Sequence, residues 1–187
     1  PNPNTYENIK IIPRKEPILL FVGRLYNKAK KIDYLIDIWQ QLYKQCPQWK
    51  LVIVGDGPDK DTLVNKSKDI PGIEFVGRQD PCPYYEKASI FCMTSIFEGF
   101  PMCLTEAMQF GCVPIAFDSF SAVYDIIKSG ETGELVKSFN KKKYVEKLIH
   151  LIEDETYRKK LSKNAFQYIK RYDIENILPK WINLFKI

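Results

Sequence analysis

The chain has 187 residues, 45% hydrophobic and 27% charged, which fits one globular domain with a sizeable core. A formal charge of +5 is modest, and the lysines of Lys141-Lys142-Lys143 and Lys159-Lys160 lie in amphipathic stretches without interleaved aromatics. That argues against nucleic acid and leaves a solvated surface, an anionic ligand or an anionic membrane face. No apolar run reaches the roughly 20 residues that cross a bilayer, the five cysteines include no C-x-x-C pair, and His150 is the single histidine. The expected setting is cytosolic, with reduced thiols and neither a zinc site nor a histidine-based triad.

In chain order, residues 1–17 open with Pro1-Asn2-Pro3-Asn4 and close on Pro13 to Pro17, so they read as a linker left from a longer protein. From Ile18 the pattern alternates. The predicted elements are a strand over 18–22, a helix over 32–46, a strand over 50–54, a helix over 60–66 and a strand over 73–76. A strand over 89–93, a helix over 102–110, a strand over 113–116 and a helix over 122–128 follow. Such alternation predicts an α/β fold, a mostly parallel sheet with helices on both faces and ligands at the carboxyl ends of its strands. From about Lys141 only helices are expected, the last over 174–185, all within one domain spanning 18–187.

Three glycine-bearing turns fall at those carboxyl ends: Gly23-Arg24, Gly55-Asp56-Gly57-Pro58 and Gly77-Arg78. The fourth strand leads into Glu98-Gly99-Phe100-Pro101-Met102-Cys103-Leu104-Thr105-Glu106. Pro101 suits the start of a helix, whose first N–H groups lack internal partners and favour a phosphate. One carboxylate on the loop and one on the helix would accept bonds from hydroxyls on either side of that phosphate. A nucleotide sugar has this layout.

With Gly23-Arg24-Leu25, Lys30, Gly55-Asp56-Gly57-Pro58 and the E-x7-E element in order, nearly the whole chain resembles the C-terminal, donor-binding domain of family 4 retaining glycosyltransferases. Gly111, Pro114-Ile115-Ala116 and Gly130-Glu131-Thr132-Gly133 are similar too. The resemblance implies a Rossmann-like half of a GT-B fold. It implies that Arg24 and Lys30 clamp the donor's diphosphate, that Glu98 contacts the transferred sugar and that Glu106 contacts the ribose. Lys31 stands where the family commonly has glycine, and the longer turn makes Lys28 a substitute for Lys30. Gly23 and Gly99 would allow close approach, and the N–H groups of Met102, Cys103 and Leu104 would face the phosphates. Phe100 belongs to the same loop, with packing beneath it favoured over substrate contact. Gly55 serves a tight turn or leaves room for the base, where Arg78 and Gln79 would bound a pocket.

The implied reaction is sugar transfer from a nucleoside-diphosphate sugar, UDP favoured, to a carbohydrate or lipid-linked acceptor, with retention. Arg24, Lys30 and Glu98 form the catalytic set, without metal or other cofactor. The acceptor would sit mainly on an N-terminal domain outside this chain, so the fragment alone is expected to be inactive. The full protein would be cytoplasmic, with peripheral membrane contact. Competing readings are a non-catalytic nucleotide-sugar binding domain, a sugar-nucleotide epimerase and a dinucleotide-binding oxidoreductase. The last requires a Gly-x-Gly-x-x-Gly turn after the first strand, where only Gly23 stands.

Overall fold

The computed structural model describes residues 2–6 and 9–185. Positions 1, 7 and 8 of the expected linker and 186 and 187 of the expected domain lie outside the described residues. Six strands, β1 (Glu16–Val22), β2 (Lys50–Val54), β3 (Ile73–Gly77), β4 (Ala88–Met93), β5 (Val113–Phe117) and β6 (Glu134–Val136), form one sheet. All pairings are parallel, in the order β3-β2-β1-β4-β5-β6.

Because side chains alternate along a strand, β1 feeds two separate cores. Leu19 and Phe21 pack with Ile32, Leu35 and Trp39 of α2 (Ile32–Leu42) on one face. Ile18 and Leu20 pack with Leu104 and Met108 of α5 (Met102–Gln109) on the other. A sheet buried on both sides explains why its central strands β1, β2, β4 and β5 read as continuous apolar runs. The remaining helices are α1 (Asn27–Lys30), α3 (Lys60–Ser67), α4 (Cys82–Lys87), α6 (Val123–Ile126), α7 (Lys141–Glu153), α8 (Glu155–Tyr168) and α9 (Ile174–Phe185). Asn140 caps α7 by accepting from Lys143 N, and Asp154 caps α8 by accepting from Tyr157 N.

Several boundaries differ from the sequence reading. The helix expected to reach Cys46 ends at Leu42, ahead of a Cys46-Pro47 step that disfavours helical geometry. The helix expected over 122–128 shrinks to four residues, since Ile127 is already extended. The short α1, α4 and β6 were not expected. The described residues of the expected linker lie against the domain: Asn4 N donates to Tyr172 O at 2.7 Å, and the Tyr6 ring meets Phe110 edge-on at 5.0 Å. Strand β1 begins at Glu16. All five cysteines are free. His150 is exposed on α7, 3.8 Å from Asp154. Of the described residues, none forms a helix long and apolar enough to cross a membrane.

Candidate functional site

The strand order reverses between β1 and β4, so the loops after these two strands diverge and leave a crevice at their carboxyl ends. The first loop carries Gly23, Arg24 and then α1; the second carries Glu98 and then α5. Arg24 is exposed, while the backbone on either side of it is pinned: Gly23 N donates to Val54 O at 3.0 Å and Leu25 N to Asp56 O at 2.9 Å. The main chain is therefore placed and the guanidinium left free to reach.

Lys30 and Glu98 meet directly. Lys30 Nζ donates to Glu98 Oε1 at 2.6 Å, with the two side chains only 23% and 12% exposed, so water screens the pair weakly. The structure brings together two residues the sequence reading had assigned to different parts of a ligand. Lys28, its substitute in the sequence reading, lies exposed on the same helix α1. Ser95 Oγ donates to the same Glu98 oxygen at 2.6 Å. Thr94 Oγ1 donates to Lys30 O at 2.9 Å, and Ile96 N to Ala29 O at 2.8 Å, tying the two loops to each other. Thr94 and Ser95 are buried and were missed by sequence reasoning. Their signal was a pair of hydroxyl residues directly after a wholly apolar strand.

Helix α5 begins without a side-chain cap. Leu104 N bonds to Pro101 O at 3.0 Å, and the Leu104 side chain is fully buried. This corrects the expectation for Leu104: its N–H is already used, leaving those of Met102 and Cys103 at the crevice. Burial pushes the Cys103 thiol up to about 12, so it stays neutral near pH 7. Phe100 packs edge-on against Tyr172 at 5.5 Å and so supports the loop from beneath. Gly99 has nothing within 4 Å of where a Cβ would stand, so the fold itself does not demand glycine there.

Glu106, further along α5, is held by two hydroxyls. Thr5 Oγ1 donates to its Oε1 at 2.7 Å and Tyr85 OH to its Oε2 at 2.9 Å. A carboxylate accepts about four bonds, so acceptor capacity remains. Thr5 and Tyr85 were also missed, being far from Glu106 in sequence.

The glycines after β2 do different work. A Cβ on Gly55 would lie 1.9 Å from Gly23 O, at a φ of +144°, and one on Gly57 would lie 2.5 Å from Leu25 O. The space beside Gly55 is filled by the β1 turn, which corrects its placement as room for a base. Arg78 and Gln79 are exposed just beyond β3, one strand further out. Lys31, where glycine was expected, adopts the left-handed conformation at φ 49° that ends α1 and starts α2.

A cation and a carboxylate locked together at a topological switch point, beside an uncapped helix start, is an arrangement suited to an anionic, hydroxyl-bearing ligand. The profile of the family described as "Glycosyl transferases group 1" matches residues 4–168. The chain belongs to the group 1 glycosyltransferases. Among relatives in this family, an uncharacterized glycosyltransferase of Haemophilus influenzae is 34% identical over 185 residues, covering 96% of this chain and 52% of that protein. The amylovoran biosynthesis glycosyltransferase AmsD of Erwinia amylovora is 36% identical over 175 residues, covering 91% of this chain and 48% of AmsD. A mutant of S. aureus TarM, solved in complex with fondaparinux, α-GlcNAc-glycerol and UDP, superposes with a TM-score of 0.89 at 25% identity. That match covers 99% of this chain and 39% of TarM. The chain thus spans about half the length of the curated glycosyltransferases it matches.

Proposed function

We propose that this chain is the C-terminal, donor-binding half of a family 4 transferase that moves a hexosyl group from a UDP-sugar to a carbohydrate or lipid-linked acceptor with retention. The observation that carries the reading is the Lys30–Glu98 pair at the β1/β4 crevice, beside exposed Arg24 and the start of α5. A nucleoside diphosphate would sit between these groups. Arg24 offers a planar fork for two phosphate oxygens, and Lys30 still has two N–H bonds to give beyond the one on Glu98. The N–H groups of Met102 and Cys103 face the same anion. As the bond to the sugar breaks, negative charge grows on the departing diphosphate, and these fixed donors stabilise it. Glu98 Oε1 is occupied by Lys30 and Ser95, which leaves Oε2 for a sugar hydroxyl. Glu106 takes the ribose hydroxyls, and Arg78 and Gln79 border the base. Neither glutamate acts as a nucleophile, and no cofactor takes part.

The acceptor belongs to the half of the protein outside this chain, which is placed in the cytoplasm at the membrane face. A thermal-shift panel with UDP, GDP, ADP and NAD tests the donor class. UDP at about 100 times its dissociation constant should add roughly 2.7 kcal/mol to the unfolding free energy. Lys30→Met should weaken UDP about 10- to 100-fold, as expected for losing a charged hydrogen bond. Glu106→Ala should also weaken it, and unchanged affinity there would remove the ribose assignment. A shift with NAD and none with UDP would overturn the donor reading. Release of UDP from a UDP-sugar by the full-length protein separates an enzyme from a binding module.

A further inference from the structure

At the opposite end of the sheet, the chain preceding β1 and helix α8 border a cavity of about 570 Å³. Strand β1 alone has seven residues, so at about 3.3 Å per residue this cavity lies roughly 20 Å from the β1/β4 crevice. Its charged lining is Arg14, Lys15, Arg158, Lys159 and Lys163, with Glu155 the carboxylate among them. Glu155 is engaged by Lys159 at 2.8 Å.

The two least exposed of these cations rest on neutral carbonyls. Lys15 Nζ donates to Tyr85 O at 2.8 Å and to Glu86 O at 3.1 Å. Arg158 Nη1 donates to Leu151 O and Ile152 O at the end of α7, with the guanidinium over the Trp49 ring at 5.1 Å. Burial lowers the pKa of both, the mark of charge held away from water. Carbonyl partners satisfy the N–H groups without cancelling charge; the nearby carboxylates, Glu86 at Lys15 and Glu155 and Asp154 at Arg158, form no ion pair with them among the described residues. Arg158 Nε and Nη2 make no hydrogen bond to a protein acceptor among the described residues.

We propose that this cavity is a second anion site, which binds a phosphate-bearing group. Arg14, Lys159 and Lys163, exposed at the mouth, contact the phosphate oxygens; Arg158 offers its remaining N–H groups, and Lys15 acts as a fixed charge in the wall. Phosphate chemistry fits better than a lone carboxylate because several cations surround one space, and a phosphate presents several oxygens to them. The site does not depend on the donor reading, since it shares no residue with the crevice.

The test uses a chain carrying Arg24→Ala and Lys30→Met, so that the crevice cations do not contribute. Inorganic pyrophosphate is titrated calorimetrically, and sedimentation with phosphatidylglycerol vesicles is compared with phosphatidylcholine vesicles. Arg14→Gln/Lys159→Gln/Lys163→Gln in that background should cut binding at least 10-fold with an unchanged urea midpoint, as all three side chains are exposed. Pyrophosphate binding lost in the triple variant identifies a soluble phosphate ligand. Binding to phosphatidylglycerol alone, lost in the same variant, identifies a lipid headgroup. Binding of neither probe, or equal binding by the triple variant, overturns the proposal.

Discussion

The two ends of the parallel sheet handle positive charge in opposite ways. At the carboxyl ends Lys30 is held by a carboxylate 2.6 Å away; at the amino ends Lys15 and Arg158 are held by carbonyl oxygens. The first arrangement is locally neutral, so a ligand entering there must divide the lysine with Glu98. In the second, Lys15 and Arg158 are satisfied in hydrogen bonds yet retain their charge, so an anion adds to them without displacing a carboxylate and competes with Glu155 only for Lys159. Counting lysines and arginines along the sequence cannot tell these situations apart; what each cation rests on can.

Three substitutions probe that contrast. The largest effect is expected from Gly55→Ala, which places a methyl 1.9 Å from Gly23 O at a φ that side chains avoid. Loss of about 4 kcal/mol in a urea titration is expected, because backbone must move on both turns. A loss below about 1 kcal/mol would show that the β1 and β2 turns are not interlocked, and with them the backbone placement of Arg24.

The second is Lys15→Met, read against pH. Burial lowers the Lys15 pKa in the folded chain below its ordinary 10.5. Between the lowered value and 10.5 the unfolded chain holds more protons, so stability gains from rising pH in that window. The wild type minus Lys15→Met difference in unfolding free energy should therefore grow as pH climbs toward 10.5, beyond a loss of about 1–2 kcal/mol at pH 7. A flat difference would mean that Lys15 is not held as a desolvated charge.

The smallest is Lys31→Gly, at the joint between α1 and α2. Relieving a left-handed lysine should stabilise the chain by about 1 kcal/mol, offset in part by losing the lysine over the Tyr34 ring at 5.5 Å. A decrease in melting temperature would show that the Tyr34 contact outweighs backbone strain.

The central strands were legible because each is a buried apolar run closed by a glycine or polar turn, as in Lys50 to Val54 before Gly55. Strand β6 was not, since three residues give no period to read. Which residues stand on the two loops of the crevice was legible where residue type and loop position coincide, as for Arg24, Lys30 and Glu98. Its internal contacts were not: Lys30 and Glu98 are 68 residues apart, and Thr5 reaches Glu106 across 101. Pairings of that range follow from strand order, which alternation alone leaves open. The turn at Gly55 was foreseen as one of two options, and only the position of Gly23 O decides between them.

The bonds from Thr94 to Lys30 O and from Ile96 to Ala29 O have a consequence for binding. They fasten the two walls of the crevice to one another, so its width is a fixed gauge and not a moving jaw. The gap between Arg24's loop and Glu98's loop is set when the sheet assembles, before any ligand arrives. Ordering costs that a floppy pair of loops would incur at each encounter are thereby settled during folding, and affinity depends on fit to a width already chosen.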